Sequence, residues 1–199
     1  ICEAMSRPGM RFVPVKTVEQ QAMQATHRIR SELVKVRTAK ANQIRGLCAE
    51  FGLEAPVRID HLRRAIPLWL EDAENGLTER FRRQFSCLQE DLKYLDERIK
   101  EQDQEIREIA RQDETAQRLQ SIPGIGPVTA TAMLMAVGDA SQFKNGRDLA
   151  VWIGLTPKHT GTGGKERVLG TSKRGDAYLR TLLIHGARAL LRTCAKKTD

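Results

Sequence analysis

Ser121-Ile122-Pro123-Gly124-Ile125-Gly126-Pro127, running on as VTATAML, sets two glycines two residues apart between two prolines, ahead of a helix-forming run. A tight turn that opens a helix is predicted. Glycine tolerates positive φ and lets another backbone come close, and Pro127 stands where a first helical turn has no N–H to lose. The first amides of that helix point outward, at an end that favours an anion such as phosphate. Leu119, Ile122, Ile125, Leu134 and Val137 can pack the two flanking helices together. The pattern is that of a helix–hairpin–helix, a sequence-independent grip on a nucleic-acid backbone. A plain turn between two core helices is the less favoured reading.

Upstream the pattern is helical over long distances. Thr17 and Gln20 fit a capping box, and Ile29, Leu33, Val36, Lys40, Ile44, Leu47 and Phe51 form a stripe with one polar break. Off that stripe lie Arg28, Arg30, Lys35, Arg37 and Arg45, a row that fits either a solvated face or a phosphate track. Gly52 ends this helix. Within the connector 53–77, Asp60 can cap a short helix, Trp69 reads as a packing anchor, and Asn75-Gly76 reads as a turn. Thr78 opens a second rod of about 50 Å at 1.5 Å per residue. Phe81, Phe85, Leu88, Leu92, Leu95, Ile99, Gln102, Ile106 and Ile109 make a heptad seam along it. The seam must be covered, either by the first helix as an antiparallel hairpin or by another subunit.

Downstream, the chain becomes basic and rich in glycine and threonine. Short helices are predicted near 128–137 and 147–153, with Lys144 and Arg147 at a loop, and a last helix near 176–193. Between them, residues 154–175 read as a basic, Gly-rich loop: glycines whose amides can converge on an anion, Lys158, Lys165, Arg167, Lys173 and Arg174 as cations, and Thr160, Thr162, Thr171 and Ser172 as hydroxyls. Such a set suits phosphoryl transfer by a side-chain nucleophile. It suits a simple phosphate clamp as well, and spacing alone favours the clamp. His159 is a candidate base or a solvated side chain. No Walker pattern is present, and Asp139, Asp148, Glu166 and Asp176 are too scattered for a two-metal acidic site, so no metal ligands are assigned.

Composition sets bounds on these readings. The formal net charge of +8 over 199 residues points to a polyanionic partner. Aromatics at 5 % argue against base-stacking platforms. Cys2, Cys48, Cys87 and Cys194 have no zinc spacing and read as reduced thiols of a cytoplasmic protein. No apolar run reaches the ~18 residues of a membrane span. The chain starts at Ile1 and reads as a fragment, with residues 1–16 as the trailing edge of a preceding domain.

The ordered series EDAENGL, heptad rod, RLQSIPGIGPVTATAML, AVGDASQF, DLAVWIGLTPK, GTGGK and LGTSKRGDAYLRTLLIHGARALL resembles the IS-one-ten family (IS-eleven-eleven subgroup) of insertion-sequence transposases, relatives of the pilin-gene invertases. The resemblance covers nearly the whole chain. It implies an N-terminal RuvC-like α/β domain with metal-binding acidic residues, absent here apart from the tail 1–16. A helical coiled-coil region at 17–115 and a C-terminal transposase domain at 116–199 would follow. The fold class is thus mainly α, a long coiled-coil hairpin followed by a helix–hairpin–helix-like domain.

The resemblance further implies recombination guided by a non-coding bridge RNA, element and target DNA as partners, and Mg2+ held by the missing acidic domain. A homo-oligomer through the coiled coil is expected. The family's nucleophilic serine stands just before or within the S/T-G-G-K run, where this sequence has Thr160-Gly161-Thr162-Gly163-Gly164-Lys165. Thr162 matches best, Thr160 next, and Ser172 lies in a stretch tied to DNA contact. Lys158, Lys165, Lys173, Arg174 and Arg180 would hold phosphates, with Arg167, Lys144 and Arg147 as further cations and Gly124 and Gly126 gripping through main-chain amides. A different class, a non-catalytic coiled-coil module with phosphate clamps, fits the same residues.

Overall fold

The computed structural model describes residues 15–162 and 164–194 together with Glu3 and Ser6; the side chains of Thr162 and Glu166 lie outside the description. Most of the expected domain tail 1–16 also lies outside the described residues. In chain order the elements are α1 (Val18–Glu50), α2 (Ile59–Glu71), α3 (Glu79–Gln112), α4 (Glu114–Gln120), α5 (Pro127–Val137), a 3-10 turn (Ala140–Gln142), α6 (Gly146–Ile153), β1 (Pro157–Thr162), β2 (Lys165–Thr171) and α7 (Ala177–Cys194). The fold is mainly α, as expected. Two compact units form, residues 26–105 and residues 1–25 with 106–199, their boundaries falling inside α1 and α3.

In the unit 26–105, α1 and α3 run antiparallel. Thr26 donates to Glu105, Arg30 pairs with Asp103, Arg37 with Asp96 and Lys40 with Asp91. Numbers rise by 14 along α1 as they fall by 14 along α3. The seam of α3 is buried as read, through Phe85, Leu92, Leu95 and Ile99, and Gln102 is half-buried. It is covered within this chain, the first of the two arrangements the sequence allowed.

The α1 stripe differs from expectation. Ile29 and Val36 are 47 % and 41 % exposed, whereas His27, Ala41, Ile44 and Cys48 are buried. The actual seam is His27, Arg30, Val34, Arg37, Ala41, Ile44 and Cys48, spaced 3, 4, 3, 4, 3, 4. Asp103 and Asp96 opposite make two arginines tolerable there, since a charge leaves water only when paired.

Part of the expected phosphate row is engaged within this unit, while Arg28 is exposed. Besides Arg30 and Arg37, Arg45 donates to Pro56 O and Val57 O, and Lys35 pairs with Glu32. α2 closes the core with Leu62 and Ile66, and Trp69 packs 6.3 Å from Phe85 as an anchor. The α2 N-cap is Arg58, without a side-chain cap, and Asp60 instead pairs with Arg58 from the first turn. Arg82 ties the α2–α3 connection together, donating to Leu77 O, Trp69 O, Leu70 O, Asp72 O and Asn75 Oδ1.

In the other unit, Thr17 and Gln20 form the expected reciprocal cap at 3.0 and 3.1 Å. Asp113 caps α4 through Ala116 N. Ala110, Ala116 and Ala130 bury a small-residue contact between the end of α3, α4 and α5, flanked by Leu119, Ile125 and Leu134. Met135, Ile153 and Leu179 form a second core where α5, α6 and α7 meet. Residues 157–171, read as loop, form an antiparallel β-hairpin instead.

Candidate nucleic-acid interface

The glycine turn is built by packing. Gly124 has φ +87°, and a Cβ there would stand 2.9 Å from Gly186 O and 2.9 Å from Leu190 Cδ1. A Cβ on Gly186 would collide in turn with Gly124 O. Two glycines thus let the turn lie directly on α7. Gly126 is different: its φ of −95° is open to any residue, and a Cβ there meets nothing. It is the α5 N-cap without a side-chain cap, and Pro127 follows at the first turn. The first-turn amides of Val128 and Thr129 have no carbonyl of their own helix to donate to; Gly126 is exposed, Val128 half-buried and Thr129 buried. Gly186 on the apolar face of α7 was the available signal for this contact, a small residue where a large one would pack.

In the hairpin, Thr162 pairs with Lys165, Gly161 with Glu166, Thr160 with Arg167 and His159 with Val168. The Gly163-Gly164 pair joins the strands, Gly164 at φ +80°. Below His159, Pro157 pairs with Thr171, so β2 carries one extra residue, a bulge. Strand alternation puts Lys158, Thr160, Lys165 and Arg167 on one face and His159 with Val168 on the other. His159 is therefore turned away from Thr160. His159, Thr160, Gly161, Gly164 and Lys165 border a recess of about 530 Å³.

The hairpin base is a crossing of two backbones. A Cβ on Gly154 (φ +81°) would collide with Arg174 O, and one on Gly175 (φ +92°) with Trp152 O. Ser172 N donates to Thr156 O at 2.8 Å and Lys173 N to Gly154 O at 3.2 Å. Lys173 itself has φ +54°. Arg180 Nη1 donates to Ile153 O at 2.9 Å and Arg174 O at 3.4 Å. Asp176 caps α7 through the amides of Tyr178 and Leu179.

The candidate hydroxyls are thereby separated. Thr160 and backbone position 162 lie toward the tip, while half-buried Ser172 lies at the base, about 17 Å away at 3.3 Å per residue. They cannot serve one phosphate together. Lys144 and Arg147 are exposed at the start of α6, where Asn145 accepts from the amides of Arg147 and Asp148. Lys144 borders a wider groove of about 990 Å³ with Asp148 and Trp152.

Charge is unevenly shared. Residues 26–105 hold fifteen Lys and Arg against fifteen Asp and Glu, which leaves eighteen against ten for the other unit. The whole net charge of +8 thus belongs to the unit with the hairpin. Among the described residues, Lys144, Arg147, Lys158, Lys165, Arg167, Lys173 and Arg174 make no ion pair. Asp139 and Asp148 of this unit are held in local hydrogen bonds. Hydrogen bonds from the Ser141 hydroxyl and amide hold the Asp139 carboxyl below its usual range, and Asp148 accepts from Lys144 N. Among the described residues no grouping of three His, Cys, Asp or Glu side chains suits a metal ion, and no helix is long and apolar enough to cross a membrane.

Free cations on a hairpin and a glycine turn that opens a helix are features that polyanion-binding domains use. Comparison with known proteins adds a family match. Residues 116–198 match the transposase IS116/IS110/IS902 family. It is 48 % identical over its whole length to a probable family 20 transposase of Pseudomonas aeruginosa, covering 59 % of that protein. It is 49 % identical over its whole length to the transposase for insertion sequence element IS1111A of Coxiella burnetii, covering 55 % of it. It is 40 % identical to the transposase for insertion sequence element IS1328 of Yersinia enterocolitica, with 96 % of the chain and 56 % of the relative matched. The chain thus spans somewhat more than half the length of these relatives.

Proposed function

We propose that this chain is the coiled-coil and C-terminal part of a DNA transposase that breaks and rejoins strands by transesterification. The observation that carries the reading is the hairpin face on which Lys158, Thr160, Lys165 and Arg167 stand together, with Thr162 paired to Lys165 in the register. A hydroxyl oxygen from Thr162, or Thr160 next to it, attacks a DNA phosphorus. A bond forms between that oxygen and phosphorus, and the bond to the departing nucleoside oxygen breaks. The hydroxyl proton passes to solvent and the freed nucleoside oxygen takes one up. The cations of the face draw in the phosphodiester and offset charge on its oxygens as the bonds exchange. Ser172 is the alternative nucleophile, flanked by Lys173 and Arg174 at the hairpin base.

Val128 and Thr129 amides at the glycine turn, with Gly126 beside them, hold a second stretch of backbone. Lys144 and Arg147 add positive charge at the start of α6. Phosphate grips do not distinguish DNA from RNA, so the same surface suits the bridge RNA that the resemblance implies. The Mg2+ implied by the resemblance is not assigned to these residues: Asp113, Asp139, Asp148 and Asp176 accept local hydrogen bonds, and among the described residues no group of three His, Cys, Asp or Glu suits a metal ion. A homo-oligomer would rest on surfaces other than the α3 seam, which α1 covers.

The test uses the full-length protein with its element's RNA and DNA. The DNA–protein adduct is trapped and the modified residue mapped by mass spectrometry. An adduct at Thr162, Thr160 or Ser172 establishes the chemistry and assigns the hydroxyl. Tight binding with no adduct in repeated trials favours the non-catalytic clamp, whose salt dependence would be equally steep.

A further inference from the structure

We propose that Arg180 is a positioning residue that fixes how the hairpin is presented, and that its charge is not spent on a phosphate. The inference rests on the recombinase reading above for its consequence, but its geometry stands alone. Ile153 ends α6 and leads into the hairpin, whereas Arg174 lies on the way out. One guanidinium nitrogen, Nη1, donates to both carbonyls. Arg180 therefore joins the entry and exit legs of the hairpin to the first turn of α7, which Asp176 caps. The Ile153 carbonyl lies at a helix C-terminus, where the in-helix donors run out and a cation is favoured.

The crossing beneath it leaves little freedom. Gly154 and Gly175 each lie against the other leg's backbone too closely for a side chain. The Lys173 and Ser172 amides donate across the same gap. Beyond this crossing the hydrogen bonds that hold the hairpin among the described residues are those of its own ladder, so the direction of the Lys158, Thr160, Lys165 and Arg167 face is set at the base. A nucleophile displaced by about 1 Å loses on the order of 100-fold in rate. The half-buried Arg180 is thus placed to govern rate rather than affinity.

The experiment compares Arg180→Gln and Arg180→Lys with Lys165→Gln, the reference for a phosphate contact, in the full-length protein. Amide exchange at Ser172 and Lys173, the slope of log binding constant against log salt for duplex DNA, the adduct rate at saturating DNA, and the melting temperature are measured. Positioning predicts that Arg180→Gln speeds exchange at those two amides at least tenfold. It also predicts an adduct rate at least tenfold lower and an unchanged salt slope. Arg180→Lys should recover only part of the rate, because an ammonium lacks the planar fork.

Unchanged exchange with a salt slope shallower by about 0.9, as for Lys165→Gln, would make Arg180 a phosphate contact and overturn the proposal. Faster exchange throughout α5, α6 and α7 with a lower melting temperature would overturn it too, as general loss of stability. Should the unaltered protein form no adduct, the recombinase reading fails, yet the exchange at Ser172 and Lys173 still decides what Arg180 holds.

Discussion

His27 lies in the α1 seam, 1 % exposed. Burial first, and then the charge of Arg30, push its pKa down to about 4 from 6.5. Between those values an unfolded chain takes up a proton that the folded one refuses. The native state of the coiled-coil unit therefore weakens as pH falls from 6.5 toward 4, and is at full strength above 6.5. The loss reaches up to about 3 kcal/mol at 1.36 kcal/mol per unit. Urea unfolding followed by Trp69 fluorescence, in a Trp152→Phe background, measures it at pH 7.5 and 4.5. His27→Gln should lose appreciably less between the two pH values, and an equal loss would remove His27 as the cause.

The glycines separate in the same way by local contact. Gly154→Ala puts a methyl group on the Arg174 carbonyl at φ +81° and should cost more than ~3 kcal/mol. Gly126→Ala meets nothing within 4 Å, so it should cost at most about 1 kcal/mol. It would still crowd the amides proposed to hold a phosphate. A stable Gly126→Ala protein with weakened duplex binding is the expected pair of results. Unchanged binding would leave the turn a packing feature only.

At the scale of elements, the seam of α3 was legible because its positions recur in steps of 4 and 3 from Phe81 to Ile109, with Gln102 the one polar residue among them. That of α1 was not, because Arg30, Arg37 and Ala41 occupy seam positions that a hydrophobic count passes over. A seam two-sidedly polar at Arg30–Asp103 and Arg37–Asp96 is recognised only once both helices are set side by side. The hairpin escaped for another reason. Lys158-His159-Thr160-Gly161 and Lys165-Glu166-Arg167 show no apolar alternation, since both faces meet solvent. Only the Gly163-Gly164 pair between Thr- and Lys-bearing arms signalled a two-residue turn.

Internal pairing also decides what a break in the seam does. Leu92 is 1 % exposed in a core shared with Ala41, Ile44 and Phe85. Leu92→Ala should lower the stability of this unit by about 2–5 kcal/mol, read from urea unfolding, without altering solution mass. A change of mass with intact stability would show that the seam serves a second subunit after all.

At the scale of the whole molecule, the division of charge makes a sharper prediction than the total. A surplus of +8 spread evenly would track a polyanion anywhere, and substitutions in either unit would then weaken binding alike. Here the unit 26–105 is neutral, and much of its basic side-chain set is paired with carboxylates or carbonyls. On the proposed reading, the cations that release counterions from DNA are those of the hairpin. Each phosphate neutralised contributes about 0.9 to the slope of log affinity against log salt on a duplex. Removing Lys158, Lys165 and Arg167 together as glutamines should therefore lower the slope by about 2.7. Removing three exposed cations of the neutral unit, Arg83, Lys93 and Lys100, as glutamines should leave it unchanged. The two variants differ only in where charge is lost, so fluorescence anisotropy at a series of salt concentrations discriminates cleanly between them. A slope that falls equally for both would mean that net charge alone drives binding. The hairpin face would then have no special claim as the place where nucleic acid is held.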